Sequence, residues 1–343
     1  NALFYSPVTS AGHDYAGGQS DIQARCIRCV GNPDDRFRED HLRILRAVRF
    51  AAVLDFAIES GTAISIRNNS AYVSGVSPER VRVELVRTLT ESRHPGDALL
   101  QLESLGLLQI VLPEVAAMKG VLQPPAFHPE GDVLTHTVKA LNMLGAKHPQ
   151  LPGISPEEEN KALPILAMAV LLHDVGKPPT EVTDAGEVHF HGHAKVGAGM
   201  AADIMRRLRF SSAEIEAVGH CIGNHMKFME VTRMRRSTLR RFVASPFFPI
   251  EMELHRLDCL ASHGNLDNHR FVLGFLDEIQ REPRLPAPWI TGDDIMRMGV
   301  PEGRQVGHWR QTAFDAQLEG SFLCRQSLLD WLKSEITKSS GRD

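Results

Sequence analysis

The segment LAMAVLLHDVGKP, at positions 166–178, constrains the fold of this chain more than any other. Apolar residues run without a break into His173 and Asp174, and Gly176 follows closely. The pair is therefore expected at a buried helix end and not on a solvated surface. Imidazole and carboxylate groups are both ligands for divalent cations, so a buried His-Asp pair favours a metal site. Such a site needs further ligands, which the fold has to bring in from other segments.

Histidines are concentrated in one part of the chain. Among 343 residues there are 16 histidines, and 12 of them lie between positions 128 and 269. The candidates for further ligands are His136, His193, His225 and Asp258, with His220 as a weaker candidate. The alternative is that such histidines are buried polar side chains satisfied by hydrogen bonds. We favour this alternative for His189, His191, His255, His263 and His269.

The composition, with 43% hydrophobic and 23% charged residues, excludes disorder, collagen and coiled coil. The length predicts two or three domains, and no apolar run is long enough to predict a membrane span. Five cysteines do not form a disulfide framework and favour a reducing, cytoplasmic setting. Cys26 and Cys29 form a lone CxxC, for which a structural role is favoured over zinc. The chain opens NALFYSP without an initiator Met, so we expect it to begin inside a longer protein.

Hydrophobic periodicity predicts a mainly α-helical fold. The expected helices lie at about 39–54, 78–92, 95–106 and 134–147. Alternating polar and apolar residues predict a strand at 21–30. From 121 to 270 the chain is expected to be helical, and a Pro-rich break at 282–288 precedes a small helical tail.

A second motif, RFREDHLRILRAVRFAA, opens the helix expected at 39–54. Glu39, Asp40 and Arg43 are spaced i, i+1, i+4 at its start. Glu39 and Arg43 can form an ordinary i, i+4 ion pair on a solvated helix face. An exposed Asp beside an Arg can instead hydrogen-bond the edge of a nucleobase, because one side chain accepts and the other donates. The residues alone leave both interpretations open.

The order of the histidines and aspartates resembles the HD phosphohydrolase superfamily over about residues 128–262. The resemblance implies metal ligands at His136, His173, Asp174 and Asp258, with His193 and His225 matching the extra ligands of members that hold two metals. It implies a divalent transition metal (Ni²⁺, Co²⁺ or Mn²⁺) that supports the attack of water on a phosphoester. It gives catalytic roles to Asp174, which would ligate or bridge, and to Lys177, which would hold a phosphate as a point charge.

The segments GGQSDI, IRCVGNPDDRFREDHLRILRAVRFAA and SPERVRVEL together resemble class II tRNA nucleotidyltransferases and bacterial poly(A) polymerases. The resemblance continues through the HD segment to ITGDDIMRMGV, so it covers nearly the whole chain. It implies four segments: the end of a nucleotidyltransferase α/β head at 1–31, a helical neck and body that bind nucleotide and RNA at 32–120, an all-helical HD phosphohydrolase domain at 121–270 and a helical tail at 271–343.

In that family the EDxxR element selects the incoming base with protein side chains and without a nucleic-acid template. The nucleotide-binding residues implied here are Glu39, Asp40, Arg43, Arg46 and Arg49. Asp40 and Arg43 would read the Watson–Crick edge of CTP or ATP, and Arg46 and Arg49 are expected at phosphates. The SPER element, with Glu79 and Arg80, is expected to orient the selecting residues.

The family's head also carries a DxD motif that binds two Mg²⁺ ions for nucleotidyl transfer, and no DxD occurs in this sequence. We therefore expect the chain by itself to be inactive in transfer and its full-length parent to be active. The expected function is tRNA CCA addition from CTP and ATP, with a second, phosphohydrolase activity. The alternatives are poly(A) addition, a stand-alone HD phosphohydrolase and a non-enzymatic RNA-binding module.

Basic residues cluster at 206–209 and again at 227–241. Such a run is most often a solvated helix face, but in an RNA-binding family it would also serve as a track for phosphates. The RNA-binding candidates are Arg235, Arg236, Arg240 and Arg241. The expected partners are a tRNA or another RNA 3′ end, CTP and ATP, without a membrane, and the oligomeric state stays open.

Overall fold

The computed structural model describes residues 3–125, 128–147, 149, 151, 154–184, 187–279 and 285–340. The chain forms two compact units, one made of Asn1–Phe228 and Pro249–Asp267, the other of Met229–Phe248 and Asn268–Asp343. The four segments implied by the resemblance stay a prediction, since the first three fall largely within the first unit. No described helix is long and apolar enough to cross a membrane.

The described residues are mostly helical, which confirms the predicted fold class. In chain order the helices are α1 (Gly18–Gln23), α2 (Pro33–Glu39), α3 (Leu42–Leu54), α4 (Ser60–Asn69), α5 (Pro78–Glu91), α6 (Pro95–Ser104), α7 (Leu108–Val111), α8 (Pro113–Ala116), α9 (Val133–Lys147), α10 (Pro156–Leu172), α11 (His193–Arg207), α12 (Ser212–Asn224), α13 (Arg236–Val243), α14 (Phe248–Ala261), α15 (Asp267–Glu278), α16 (Gly292–Arg297), α17 (Arg304–Glu319) and α18 (Arg325–Ser340). Short 3₁₀ helices lie at Ser70–Gly75, Pro178–Thr180 and His225–Arg233.

The strands form two-stranded sheets in the first unit. They are β1 (Leu3–Ser6), β2 (Ala11–Asp14), β3 (Cys26–Ile27), β4 (Ala57–Ile58), β5 (Val182–Asp184) and β6 (Glu187–His189). β1 pairs antiparallel with β2, with Leu3 opposite Asp14, and β5 pairs antiparallel with β6. β3 pairs in parallel with β4.

The strand predicted at 21–30 is wrong. Helix α1 occupies its first residues, and only β3 is extended. The Asp14 carboxylate accepts hydrogen bonds from the backbone N–H groups of Gly18 and Gln19, at 2.8 and 2.9 Å. These bonds satisfy amides that a helix start otherwise leaves unpaired. The alternation of residue types did not reveal this cap.

The single helix predicted at 39–54 is two helices, α2 and α3. Asn32 accepts a hydrogen bond from the backbone of Asp34 at 3.1 Å, so α2 begins well before the predicted start. Asp40 is extended, with φ −152° and ψ 104°, and its side chain accepts from the Leu42 backbone N–H at 3.2 Å. The helices predicted at 78–92, 95–106 and 134–147 are confirmed as α5, α6 and α9, with ends within two residues.

Each unit has its own apolar core. In the first unit residues 166–172 of α10 are at most 1% exposed, so this helix is buried on every side. In the second unit the core is formed by Ile290, Ile295, Val300, Ala313, Leu328, Leu332 and Ile336, against which Trp309 and Trp331 pack. Burial of these side chains is the main stabilising contribution to both units.

Candidate functional site

Helix α10 carries the His-Asp pair at its C-terminal end. The helix begins with a capping box, in which Ser155 and Glu158 satisfy each other's backbone N–H groups. Its apolar length is buried, and His173 and Asp174 are each only 1% exposed. The buried helix end predicted from the sequence is therefore confirmed.

The first half of the cluster is formed by His173, Asp174 and His136 of α9. Nε2 of His136 lies 3.2 Å from Nε2 of His173, which lies 3.3 Å from Oδ2 of Asp174. Asp258 of α14 lies beside the same three residues, with its Oδ1 3.1 Å from Nε2 of His136. Three helices thus bring the four predicted core ligands together.

The second half of the cluster is formed by Asp174, His193 and His225. Oδ1 of Asp174 lies 3.7 Å from Nε2 of His193, which is 3.2 Å from Nε2 of His225. Within each half the ligand atoms lie within 4.8 Å of one another. Because Asp174 belongs to both halves, the residues of the cluster could hold two cations, with Asp174 available to both.

Backbone carbonyls determine which ring nitrogen faces the cluster. Nδ1 of His173, His193 and His225 lies 2.9, 2.9 and 2.7 Å from the carbonyl oxygen three residues earlier. A carbonyl only accepts, so Nδ1 carries the proton and Nε2 presents a lone pair. With both rings neutral, the Nε2 lone pairs of His193 and His225 then face each other at 3.2 Å and repel, unless a proton or a metal ion is shared between them. The donor set therefore fits a divalent metal.

Glu130 contacts Nδ1 of His136, the ring nitrogen on the side away from the cluster. Its Oε1 lies 2.6 Å from Nδ1 of His136 and 2.9 Å from Nδ1 of His128. Burial raises the pKa of Glu130, but hydrogen bonds from both histidines outweigh burial and lower it to about 2. A carboxylate behind a metal-binding imidazole fixes the ring and strengthens the ligand. Sequence analysis missed Glu130, because it lies in a loop before α9 and no helical spacing relates it to His136.

Burial and charge favour the protonation states that metal ligands need. Burial lowers the pKa of His225 to about 4, so this imidazole is neutral. Burial raises the pKa of Asp174, but electrostatic interactions with His173, Lys177 and other neighbours hold it well below its ordinary value. For His136, burial lowers the pKa, but the hydrogen bonds with Asp258 and a second carboxylate outweigh burial and raise it to about 9. A metal at His136 would displace this proton.

Lys177 is buried beside the bridging carboxylate. Its Nζ lies 2.7 Å from Oδ2 of Asp174 and 2.6 Å from Oε1 of Gln123, and the residue is 6% exposed. Its predicted role at a phosphate stays a prediction, and in this structure the ammonium already neutralises Asp174. Gln123 was missed because a single glutamine in a loop gives no sequence signal.

Glu39, Asp40 and Arg43 lie where α2 meets α3. Arg43 forms the i, i+4 ion pair with Glu39, at 2.5 Å. Asp40 pairs instead with Arg80 of α5, whose Nη2 lies 3.1 and 3.0 Å from its two carboxylate oxygens. Partial burial raises the pKa of Asp40, but hydrogen bonds from Arg80 and the Leu42 backbone, together with the charges of Arg80 and Arg43, outweigh burial and lower the pKa. The SPER arginine therefore holds the side chain that the resemblance assigns to base selection.

Arginines line a cavity of about 150 Å³ beside this junction. The lining includes Arg28, Arg36, Arg43 and Arg46, together with Phe37 and Phe50. Arg49 lies elsewhere: it is 5% exposed, and its Nε lies 2.6 Å from Oε2 of Glu84. The predicted contact of Arg49 with a phosphate stays a prediction, and in this structure its guanidinium pairs with the buried carboxylate of Glu84. Arg46 remains a phosphate candidate.

The predicted RNA-binding arginines lie in the second unit, at α13. Arg236 pairs with Glu278 at 2.5 Å, and Arg241 pairs with Asp315. Arg235, directly before the helix, is exposed, and Arg240 follows one turn later. Two of the four candidates thus have carboxylate partners within their own unit, which reduces the charge they offer to phosphates. Their role with RNA stays a prediction.

Histidines outside the cluster differ in burial. His255 and His269 are buried as expected, whereas His191 and His263 are exposed, so the buried interpretation is wrong for these two. His220, the weaker candidate, points its Nδ1 at a buried glutamate of α14, at 3.0 Å, and belongs to neither half.

Comparisons with known proteins agree with this geometry. The family described as "Probable RNA and SrmB- binding site of polymerase A" matches residues 55–119, and the HD domain matches residues 133–260. An A-adding tRNA nucleotidyltransferase from Deinococcus radiodurans is 32% identical over 324 residues, which cover 90% of this chain and 70% of that protein. The chain belongs to the tRNA nucleotidyltransferase family.

Other tRNA nucleotidyltransferases match over similar lengths. A CC-adding enzyme from Thermus thermophilus is 31% identical over 340 residues. The matched region covers 95% of this chain and 74% of the Thermus enzyme. The CCA-adding enzyme of Bacillus stearothermophilus, solved in complex with CTP, shares the fold: its TM-score is 0.67 at 20% identity, over 100% of this chain and 73% of that one. The poly(A) and stand-alone phosphohydrolase alternatives are therefore not favoured.

Proposed function

We propose that this tRNA nucleotidyltransferase chain contains, besides its nucleotide-selecting region, a two-metal centre that hydrolyses phosphoesters. The observation that carries the proposal is the convergence of four histidine Nε2 atoms on the carboxylates of Asp174 and Asp258. With both rings neutral, the Nε2 lone pairs of His193 and His225 face each other at 3.2 Å, and a metal ion bound by both nitrogens would remove this repulsion. The match of residues 133–260 to the HD domain supports the same conclusion.

The proposed substrate is a 2′,3′-cyclic phosphate or a phosphomonoester at an RNA end. Divalent Ni²⁺, Co²⁺ or Mn²⁺ held there would supply Lewis-acid activation of water and of a phosphoryl oxygen. In hydrolysis the water oxygen bonds to phosphorus, one P–O bond to the ribose breaks, and the water's proton passes to the released oxygen. Among the chain's own residues, the carboxylate of Asp174 lies between the two halves of the cluster. The ammonium of Lys177 forms an ion pair with this carboxylate and neutralises its charge.

The test is metal content together with hydrolysis. The purified chain is expected to contain or take up about two divalent ions, measured by mass spectrometry of the elements, and to hydrolyse 2′,3′-cyclic AMP when Ni²⁺, Co²⁺ or Mn²⁺ is added. His173→Ala should abolish hydrolysis, because it removes a donor from the first half. His263→Ala is the matched control, since that histidine is exposed and outside the cluster. A wild-type chain without bound metal or turnover would contradict the proposal.

A second proposal concerns nucleotide choice. We infer that Asp40 and Arg43 select CTP and ATP for addition to a tRNA 3′ end, a cytoplasmic reaction, while Arg28, Arg36 and Arg46 bind the triphosphate. Two observations support it: Arg80 holds Asp40 at the helix break with both carboxylate oxygens engaged, and the adjoining cavity is lined by guanidinium groups. Guanidinium groups suit phosphates because they donate two parallel hydrogen bonds.

This proposal is tested on the complete enzyme, as CTP and ATP incorporation into a tRNA lacking its CCA end. Asp40→Ala is expected to relax the choice between the two nucleotides, and Arg80→Ala should have the same effect because it frees Asp40. Arg38→Ala is the control, since Arg38 forms a separate exposed pair with Asp35. Unchanged selectivity in both test variants would remove the proposed role.

A further inference from the structure

Two hydrogen bonds, through the ammonium of Lys177, link the side-chain amide of Gln123 to the carboxylate of Asp174. Gln123 is 5% exposed, and its Oε1 accepts a hydrogen bond from Nζ of Lys177 at 2.6 Å. The same ammonium donates to Oδ2 of Asp174 at 2.7 Å. Asp174, Lys177 and Gln123 therefore form a buried chain that begins at the metal centre.

The orientation of this amide is fixed by chemistry. An ammonium group only donates, so the oxygen of the amide has to face Lys177 and the NH₂ group has to face away from it. Nε2 of Gln123 is buried, and among the described residues it has no hydrogen-bond partner. A buried donor without a partner is costly, and such groups in a native fold call for an acceptor that the described residues do not supply, such as a ligand.

The surroundings indicate what kind of acceptor this is. The carboxylate of Asp174 is already paired with Lys177, whose ammonium also lies 5.7 Å from the ring of Phe190. A ligand group that carries only acceptor oxygens and negative charge would gain from both the ammonium and the free N–H bonds. A phosphoryl group has this chemistry. An ammonium ligand would instead present only donors to an amide nitrogen that cannot accept, and a neutral hydroxyl would bring no negative charge for Lys177.

We propose that Nε2 of Gln123 donates a hydrogen bond to a non-bridging phosphoryl oxygen of the substrate, which makes Gln123 a phosphate-binding residue of the metal centre. The inference rests on the proposed phosphohydrolase function and adds to it a residue that recognises the substrate. Gln123 then has two functions on its two amide atoms: Oε1 positions Lys177, and Nε2 binds phosphate.

Two substitutions separate these functions. Gln123→Glu keeps an acceptor for Lys177 but removes the N–H donor. Gln123→Met has a similar size and removes both. Gln311→Met is the control, because Gln311 is an exposed residue of the second unit that bonds Asp315.

The experiment measures inorganic phosphate binding to the metal-loaded chain in two ways. One is the increase in melting temperature that phosphate produces, and the other is competitive inhibition of 2′,3′-cyclic AMP hydrolysis. Loss of a hydrogen bond to a charged group predicts phosphate binding about ten-fold or more weaker in both Gln123→Glu and Gln123→Met. The control variant should match the wild type.

The outcomes distinguish this inference from the proposed function. If the wild type hydrolyses the substrate and Gln123→Glu binds phosphate as the wild type does, Gln123 only positions Lys177 and the inference is overturned. If Gln123→Met binds phosphate as the wild type does, the inference is overturned as well, and positioning of Lys177 by Gln123 does not contribute to phosphate binding either. If the wild type neither hydrolyses the substrate nor is stabilised by phosphate, the proposed function fails together with the inference.

Discussion

Substitution of Gly176 by alanine should move His193 away from Asp174, and so disturb the second half of the cluster. A Cβ at this position would lie 2.2 Å from the carbonyl oxygen of His193 and 2.5 Å from the backbone nitrogen of Gly197. Both are backbone atoms, so neither can rotate away. Gly176→Ala therefore has to move the start of α11, which carries His193, away from the end of α10, which carries Asp174.

The size of the effect follows from these distances. Ordinary non-bonded contacts lie at about 3.5–4.0 Å, so the added methyl group is more than about 1 Å too close. Overpacking of this kind costs about 1–3 kcal/mol, and the upper end applies because backbone has to shift. At about 2 °C per kcal/mol for a large domain, the melting temperature should fall by about 6 °C. A displacement of about 1 Å at His193 should reduce hydrolysis about 100-fold.

The assay combines melting temperature, metal content and 2′,3′-cyclic AMP hydrolysis. Gly176→Ala should lose one of two bound ions, because His193 belongs to the second half and His136 to the first. Gly199→Ala is the control, since it lies in the same α11 and its Cβ would meet nothing within 4 Å. That variant should be as stable as the wild type or slightly more so, because alanine favours a helix. A Gly176→Ala protein with unchanged stability and metal content would refute the reasoning.

Two further predictions concern the helical body. Arg49→Met should destabilise the chain by about 3–5 kcal/mol, because it leaves Glu84 buried without its partner, whereas Arg49→Met with Glu84→Leu should recover most of the loss in urea denaturation. An equally unstable double variant would contradict this. Backbone hydrogen bonds from Gly61 and Thr62 lower the pKa of Glu59 from 4.5 to about 2, so its stabilisation is present above pH 4.5 and is lost as the pH falls towards 2. In that window the melting temperature of the wild type should fall more steeply than that of Glu59→Gln, and parallel curves would argue against the assignment.

Local signals predicted most of the helices and the buried position of the His173–Asp174 pair. The helices at α5, α6 and α9 have regular apolar spacing and proline near their first residues or a clear polar break, so their ends could be found within two residues. The buried end of α10 was predicted because a continuous apolar stretch runs into His173. These features depend on neighbouring residues only, which is why the sequence reveals them.

The parts that could not be predicted depend on partners distant in the chain. The extended Asp40 is held by Arg80, forty residues later, and Arg49 is neutralised by Glu84, thirty-five residues later. The helical pattern continues through Asp40 undisturbed, so periodicity predicts one helix where tertiary contacts produce two. Gln123 is a third case, because only its contact with Lys177, fifty-four residues later, connects it with the cluster.

The metal centre shows how local and distant information combine. His173 and His225 each follow the last residue of a helix, where the carbonyls of the final turn lack their regular helical partners and can accept from a side chain. Nδ1 of each ring donates a hydrogen bond to the carbonyl three residues earlier, which stabilises the helix end. Nε2 is then the ring nitrogen whose lone pair is available to a metal. The choice of ligand atom is therefore made within three residues of sequence. What tertiary packing adds is the distance between rings, and the close approach at Gly176 sets that distance for His193.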